Sequence, residues 1–179
     1  MAAVGVLARS EFPMELEPAL TLRLGLELPL STGRAIQGYD LSYTDCPNGT
    51  IFSAPGANVT VNATIIHADA VVRIDPDGGK FRLNVHGVAR TTNGTIFQLT
   101  YTAINTPVEE FRKVLARAPD AKDTEFGDMF SQHSFEVPIS APELAPLNSN
   151  IYVGVGRLLI DKDRVVTAEY AISRVILEE

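Results

Sequence analysis

Few residues of this 179-residue chain have both the type and the spacing to do chemistry. His67-Ala68-Asp69 places an imidazole and a carboxylate two apart, which on a strand means the same face. Such a pair could donate a hydrogen bond or move a proton inside a pocket; at a strand junction it would be solvated and inert. Arg82, Asn84 and His86 share one strand face, opposite Phe81, Leu83 and Val85. Gln98, Thr100 and Thr102 repeat this arrangement against Phe97, Leu99 and Tyr101. Putting the polar rows outside turns Tyr101 inward among apolar neighbours, where its hydroxyl needs a partner. Tyr101 is therefore the leading candidate donor, with Phe97 and Leu99 beside it as substrate-binding surface. His133 and Glu136, on a later strand, are weaker candidates.

Other motifs fall away. Cys46 sits in the turn-like Asp45-Cys46-Pro47-Asn48-Gly49, with no His or Lys flanking it to lower its pKa. Gly154-Val155-Gly156 lacks the third glycine and helix of a dinucleotide loop, so small residues packing within a strand explain it better. His67, His86 and His133 have no metal-ligand spacing, and Asp161-x-Asp163 reads as a turn. We expect no metal and no cofactor. A net charge of −7 without a Lys/Arg cluster argues against nucleic acid, and no apolar run is long enough for a membrane-spanning helix.

The elements that must position these groups are strands. Leu20, Leu22, Leu24, Leu26 and Leu28 alternate with Thr21, Arg23, Gly25 and Glu27. Further strands are expected over 58–66, 71–75, 80–90, 96–104, 130–139, 150–160 and 164–177. Turns are expected at Asp75–Gly79, at Asn93-Gly94 as a type I′ hairpin, and at Asp161–Asp163. One helix is expected, with Thr106 as N-cap, Pro107 first and Glu109 closing a capping box; Val108, Phe111 and Leu115 would form its apolar face. The fold class is mainly β: a single antiparallel β-barrel of roughly eight to ten strands with one short α-helix. Residues 14–179 form that domain, and residues 1–13 read as a tail or leader remnant.

Four of the eight asparagines, Asn48, Asn58, Asn62 and Asn93, stand in N-glycosylation sequons. They favour a glycoprotein of the secretory pathway. Asn-Gly turns and Thr-rich strands also generate sequons unaided, which leaves a cytoplasmic protein open.

The motifs together resemble DUF3237, a family of small β-barrel proteins of bacteria and fungi. Leu16-Glu17-Pro18 with Thr21-Leu22 is similar to the family's N-terminal strand. His67-Ala68-Asp69, Val72-Arg73 and Pro76-Asp77-Gly78 are similar to its Gly-Ala-Asp-Trp…Arg-Pro-Asp-Gly stretch, and Asn93-Gly94 to its central turn. Phe135-Glu136, Leu147-Asn148 and Tyr152-Val153-Gly154-Val155-Gly156 follow in the family's order. Two departures stand out: the family's Trp is Ala70 here, and its Arg-rich strand is Gln98, Thr100, Thr102. If those positions line the barrel, the pocket is roomier and more neutral than a typical member's.

The resemblance implies a β-barrel and, through fungal barrels of natural-product biosynthesis, a cofactor-free pericyclase of the hetero-Diels–Alder type. Such a cyclase would act on a hydrophobic, oxygenated natural product, with Tyr101, His67 with Asp69, or His133 donating to it. Two other readings stay open: a lipocalin-like carrier of a hydrophobic small molecule, and a barrel filled by its own side chains. A homo-oligomer fits any of the three.

Overall fold

The computed structural model describes residues 13–178. The first strand, β1 (Met14–Leu26), buries Leu20, Leu22 and Leu24 and turns Arg23 outward, as its alternation requires. β2 (Leu30–Arg34), β3 (Asp40–Cys46), β4 (Asn48–Ser53) and β5 (Asn62–Ile74) follow, then β6 (Phe81–Thr91) and β7 (Ile96–Asn105). After a helix, α1 (Glu109–Leu115), come β8 (Met129–Glu136), a short 3₁₀ turn (Pro142–Leu144), α2 (Ala145–Ser149), β9 (Tyr152–Ile160) and β10 (Val166–Leu177).

Eight of the strands close a barrel in the order β4-β1-β10-β9-β8-β7-β6-β5, with β5 returning to β4, every pairing antiparallel. Closure leaves no long edge to template aggregation. The other two strands extend one end. β5 pairs with β4 through Asn62–Ile65 and with β3 through Ala68–Ile74, and β2 pairs with β3. Cys46 and Asn48 thus belong to consecutive strands broken only at Pro47, which cannot donate to a ladder. The turn expected at Asp45–Gly49 is a kink between two strands that share a partner.

Three other local expectations change. Residues 58–66 and 71–75 are not separate strands. One thirteen-residue β5 absorbs them, with a bulge between Ile65 and His67. At Asn93-Gly94 only Gly94 takes a positive φ (+92°), and its N–H donates to the Thr91 carbonyl at 3.0 Å. That is a three-residue loop with glycine in the left-handed position, not a type I′ pair. The helix begins two residues later than its capping box predicts, without a side-chain cap. The Thr106 hydroxyl is instead taken by Lys80 Nζ, 2.7 Å away, and Val108 is exposed while Phe111 and Val114 carry the buried face. Arg117, at φ +52°, ends the helical segment ahead of Pro119.

Candidate functional site

Alternation on each strand decides which side chains face the axis. On β7 these are Phe97, Leu99, Tyr101, Ala103 and Asn105; on β10 they are Val166, Ala168, Tyr170 and Ile172. The half of the barrel away from α1 is filled. Phe97 packs on Phe135 (ring centroids 6.5 Å apart), and Phe135 meets Tyr152 edge-on at 5.5 Å. The half beneath α1 is hollow, with a cavity of about 270 Å³. Tyr101, Tyr170 and Cys46 border its deep end. Val72, Asn105 and Leu158 stand on its walls, and Phe111 of α1 lines its upper end. Glu27 and Arg117 lie at the rim, where the Arg117 guanidinium donates to the Leu26 carbonyl at 2.9 Å.

Two glycines make room for the groups at the deep end. A Cβ on Gly156 would stand 2.7 Å from the Tyr170 ring. One on Gly154 would stand 2.7 Å from Ser131 Oγ and 2.9 Å from His133 Nε2. Gly154 and Gly156 therefore leave the inward face of this strand bare where Tyr170, Ser131 and His133 must pass.

The buried titratable groups at the deep end of the cavity are all held in their neutral forms. Burial pushes the Cys46 thiol up to about 12, with the Asp45 and Asp69 carboxylates adding to the effect. Burial likewise lifts the Tyr101 and Tyr170 hydroxyls above the ordinary tyrosine range. His133, enclosed between the rings of Tyr101 (4.8 Å) and Tyr170 (5.6 Å), is driven down to about 3 by burial. Its Nε2 lies 2.7 Å from Ser131 Oγ, whose hydroxyl donates to the Gly154 carbonyl at 3.3 Å. With that proton committed, Nε2 carries the imidazole hydrogen and donates to Ser131, leaving Nδ1 bare and without a partner. The site offers neutral hydrogen-bonding groups in apolar surroundings rather than an acid and a base.

Of the residues singled out from the sequence, Tyr101 lines the cavity and His133 packs directly behind it. Phe97 and Leu99 are interior but lie in the filled half. His67 and Asp69 are on the outer face, because the bulge after Ile65 resets the alternation so that Ala68 and Ala70 turn inward. The His67 side chain is 59% exposed, and its Nδ1 stands 3.8 Å from the Asp45 carboxylate across the sheet. Glu136 is exposed, as are Asn48, Asn58, Asn62 and Asn93. Ala70 lines the cavity, whereas Gln98, Thr100 and Thr102 face outward and do not contribute to its lining. Among the described residues no three His, Cys, Asp or Glu side chains gather as metal ligands would, and no helix is long and apolar enough to cross a membrane.

Sequence reading missed Asn105, Tyr170, Ser42 and Thr44, all of which line the cavity. Asn105 continues the Phe97, Leu99, Tyr101 alternation one step past the expected strand end, and Tyr170 lies within the strand expected over 164–177. Ser42 and Thr44 belong to β3, whose polar composition hid it.

A family model described as a protein of unknown function, DUF3237, matches residues 14–175. No curated protein matches the chain. Several solved structures share the fold. A conserved protein of unknown function from Rhodopseudomonas palustris has a TM-score of 0.72 at 15% identity, covering 91% of this chain and 98% of that one. A β-barrel-like protein from Acinetobacter baumannii gives 0.66 at 14% identity, with coverage of 94% and 100%. An enzyme from Penicillium herquei gives 0.60 at 15% identity, with coverage of 94% and 99%.

Proposed function

The chain belongs to the DUF3237 family, and we propose that it is a cofactor-independent cyclase of the hetero-Diels–Alder type, acting on a hydrophobic, oxygenated natural product held in the barrel. The observation that carries this reading is the apolar cavity within the barrel with Tyr101 at its deep end. Its presence also counts against a barrel filled throughout by its own side chains. Support comes from the structurally similar Penicillium herquei protein, which is described as an enzyme.

The chemistry asks little of the protein beyond shape. A diene and a carbonyl or alkene partner form two new bonds with no atom gained or lost, so no group need take or give a proton. Holding the two ends in near-attack geometry lowers the barrier by several kcal/mol. A hydrogen bond from the Tyr101 hydroxyl to a carbonyl that gains electron density in the transition state lowers it further. Burial keeps Tyr101 protonated, and therefore a donor, throughout the physiological range. His133 serves by position, packing behind the Tyr101 ring. His67 and Asp69, on the outer face, have no role inside the cavity in this reading.

One observation favours a second reading, a carrier: the buried Cys46, Tyr101 and Tyr170 side chains at the cavity are all held neutral, and an inert apolar pocket suits transport as well as cyclisation. Comparing metabolites of the source strain with those of a strain lacking this gene separates the two. Loss or racemisation of one cyclised product, with its open precursor accumulating, supports the cyclase. Unchanged structures with altered secretion or retention support the carrier. The exposed sequon asparagines support a secretory-pathway location, which a mass shift on enzymatic deglycosylation of the native protein would test.

A further inference from the structure

The cavity contains a buried polar side chain that finds no hydrogen-bond partner within the protein. Asn105 ends β7 on the cavity wall, is 2% exposed, and its carboxamide oxygen has no hydrogen-bond partner. The Tyr170 hydroxyl, which the side chains of Tyr101 and Asn105 adjoin, also has none. Buried polar groups are nearly always satisfied, and here the Tyr101, Tyr170 and Asn105 side chains adjoin one another without closing a hydrogen bond of good geometry from Tyr170 or to the Asn105 carboxamide oxygen. The remaining orphan, His133 Nδ1, is packed behind the Tyr101 and Tyr170 rings rather than on the cavity wall. Two unpartnered neutral groups therefore sit together at one place on an otherwise apolar wall.

Resting on the reading of the barrel as a ligand site, we infer that Asn105 is its specificity-determining residue, and that the site selects a neutral molecule bearing a ketone or enone oxygen over the matching carboxylate or hydrocarbon. The terminal torsion of asparagine is broad, so the carboxamide can swing its N–H₂ toward a ligand oxygen. A hydrocarbon would leave the carboxamide and the Tyr170 hydroxyl unsatisfied. A carboxylate would be worse placed, since a desolvated charge needs a cation or several donors. Among the described residues the one cationic side chain lining the cavity is Arg117, at the rim and already donating to the Leu26 carbonyl. The suppressed ionisation of Cys46 and the two tyrosines reflects the same low polarity, hostile to anions. The volume of about 270 Å³ suits one or two fused rings.

The test compares three probes on one ring system, 2-acetylnaphthalene, 2-isopropylnaphthalene and 2-naphthoate, by calorimetric titration at pH 7 against the wild type and Asn105→Leu. The ketone is expected to bind the wild type about tenfold more tightly than the hydrocarbon, the worth of one net hydrogen bond, and the naphthoate least. Asn105→Leu should erase the ketone's advantage while hydrocarbon binding holds or improves, which a merely structural role would not produce. Should Asn105→Leu fail to fold, Asn105→Ala carries the same comparison. Equal binding of ketone and hydrocarbon to the wild type, or an advantage that survives in the variant, overturns the inference. Tightest binding of the naphthoate overturns it while sparing the ligand-site reading. Failure of all three probes to bind overturns both.

Discussion

The two halves of the barrel are built by the same strands and obey the same alternation, yet one is solid and the other hollow. Away from α1 the inward positions hold Phe97, Leu99, Phe135 and Tyr152, and their rings and branches meet across the axis. Beneath α1 the inward positions include Ala70 and Ala168, and polar groups stand between apolar walls. Periodicity determines which residues face the axis; the summed volume of each layer determines whether that layer is core or cavity. The polar groups differ as well. In the filled half, polarity is resolved internally, as Tyr152 shows by donating its hydroxyl hydrogen to the Pro146 carbonyl at 3.0 Å. In the hollow half, Asn105 and Tyr170 are left without partners.

Truncation should break this comparison most sharply. Leu99→Ala, in the filled half and fully buried, is expected to cost about 2–5 kcal/mol in urea unfolding. Leu83→Ala, on the half-buried cavity wall, should cost less than half as much, because its neighbours already face open space. Equal losses would mean that the cavity collapses around its lining.

The layer between the halves should betray itself through pH. His133 is driven down to about 3 in the folded chain, well below the unfolded value near 6.5, so the unfolded state takes up the proton first as pH falls. The stability of the neutral buried ring is complete above pH 6.5. It declines toward pH 3, by about 1.4 kcal/mol per unit while only the unfolded state is protonated. Stability curves for the wild type and His133→Gln at pH 7, 6, 5 and 4 should converge as pH falls, since the variant lacks this loss. Parallel curves would place the acid sensitivity elsewhere.

Backbone approach gives a smaller effect. Gly156→Ala puts a methyl 2.7 Å from the Tyr170 ring, which must tilt, and a cost of about 1–3 kcal/mol in thermal or chemical unfolding is expected. The smallest effect on stability should come from Ala70→Leu, which adds volume where there is space and should shift stability by less than about 1.5 kcal/mol. Its effect on binding should be large, because the added branch occupies the cavity.

These contrasts mark what the sequence could tell. Closure into a small antiparallel barrel was legible in the leucine alternation of β1 and in the turns at Asp75–Gly79 and Asp161–Asp163. Tyr101 was legible as an inward hydroxyl from the polar rows on either side of it. Asn105 lies four residues along the same face but falls just past the strand end expected at Ile104, next to the N-cap expected at Thr106. The outward placement of His67 and Asp69 was not legible, since it depends on a bulge that one added residue creates after Ile65. β3 escaped because Asp40, Ser42, Thr44 and Asp45 give no apolar alternation; its inward Ser42 and Thr44 face a cavity, where the usual requirement for apolar residues is relaxed.

The most direct test of the central claim, that the hollow half is the working site, is to replace the chromosomal gene with Ala70→Leu and compare metabolites with the wild-type and deletion strains. The variant is first shown by thermal melting and circular dichroism to fold normally. The expected result is a folded protein with the deletion phenotype: the cyclised product lost or racemised and its open precursor accumulated. A normal product in normal stereochemical purity from the same folded variant would contradict the account, because it would place the activity outside the cavity beneath α1.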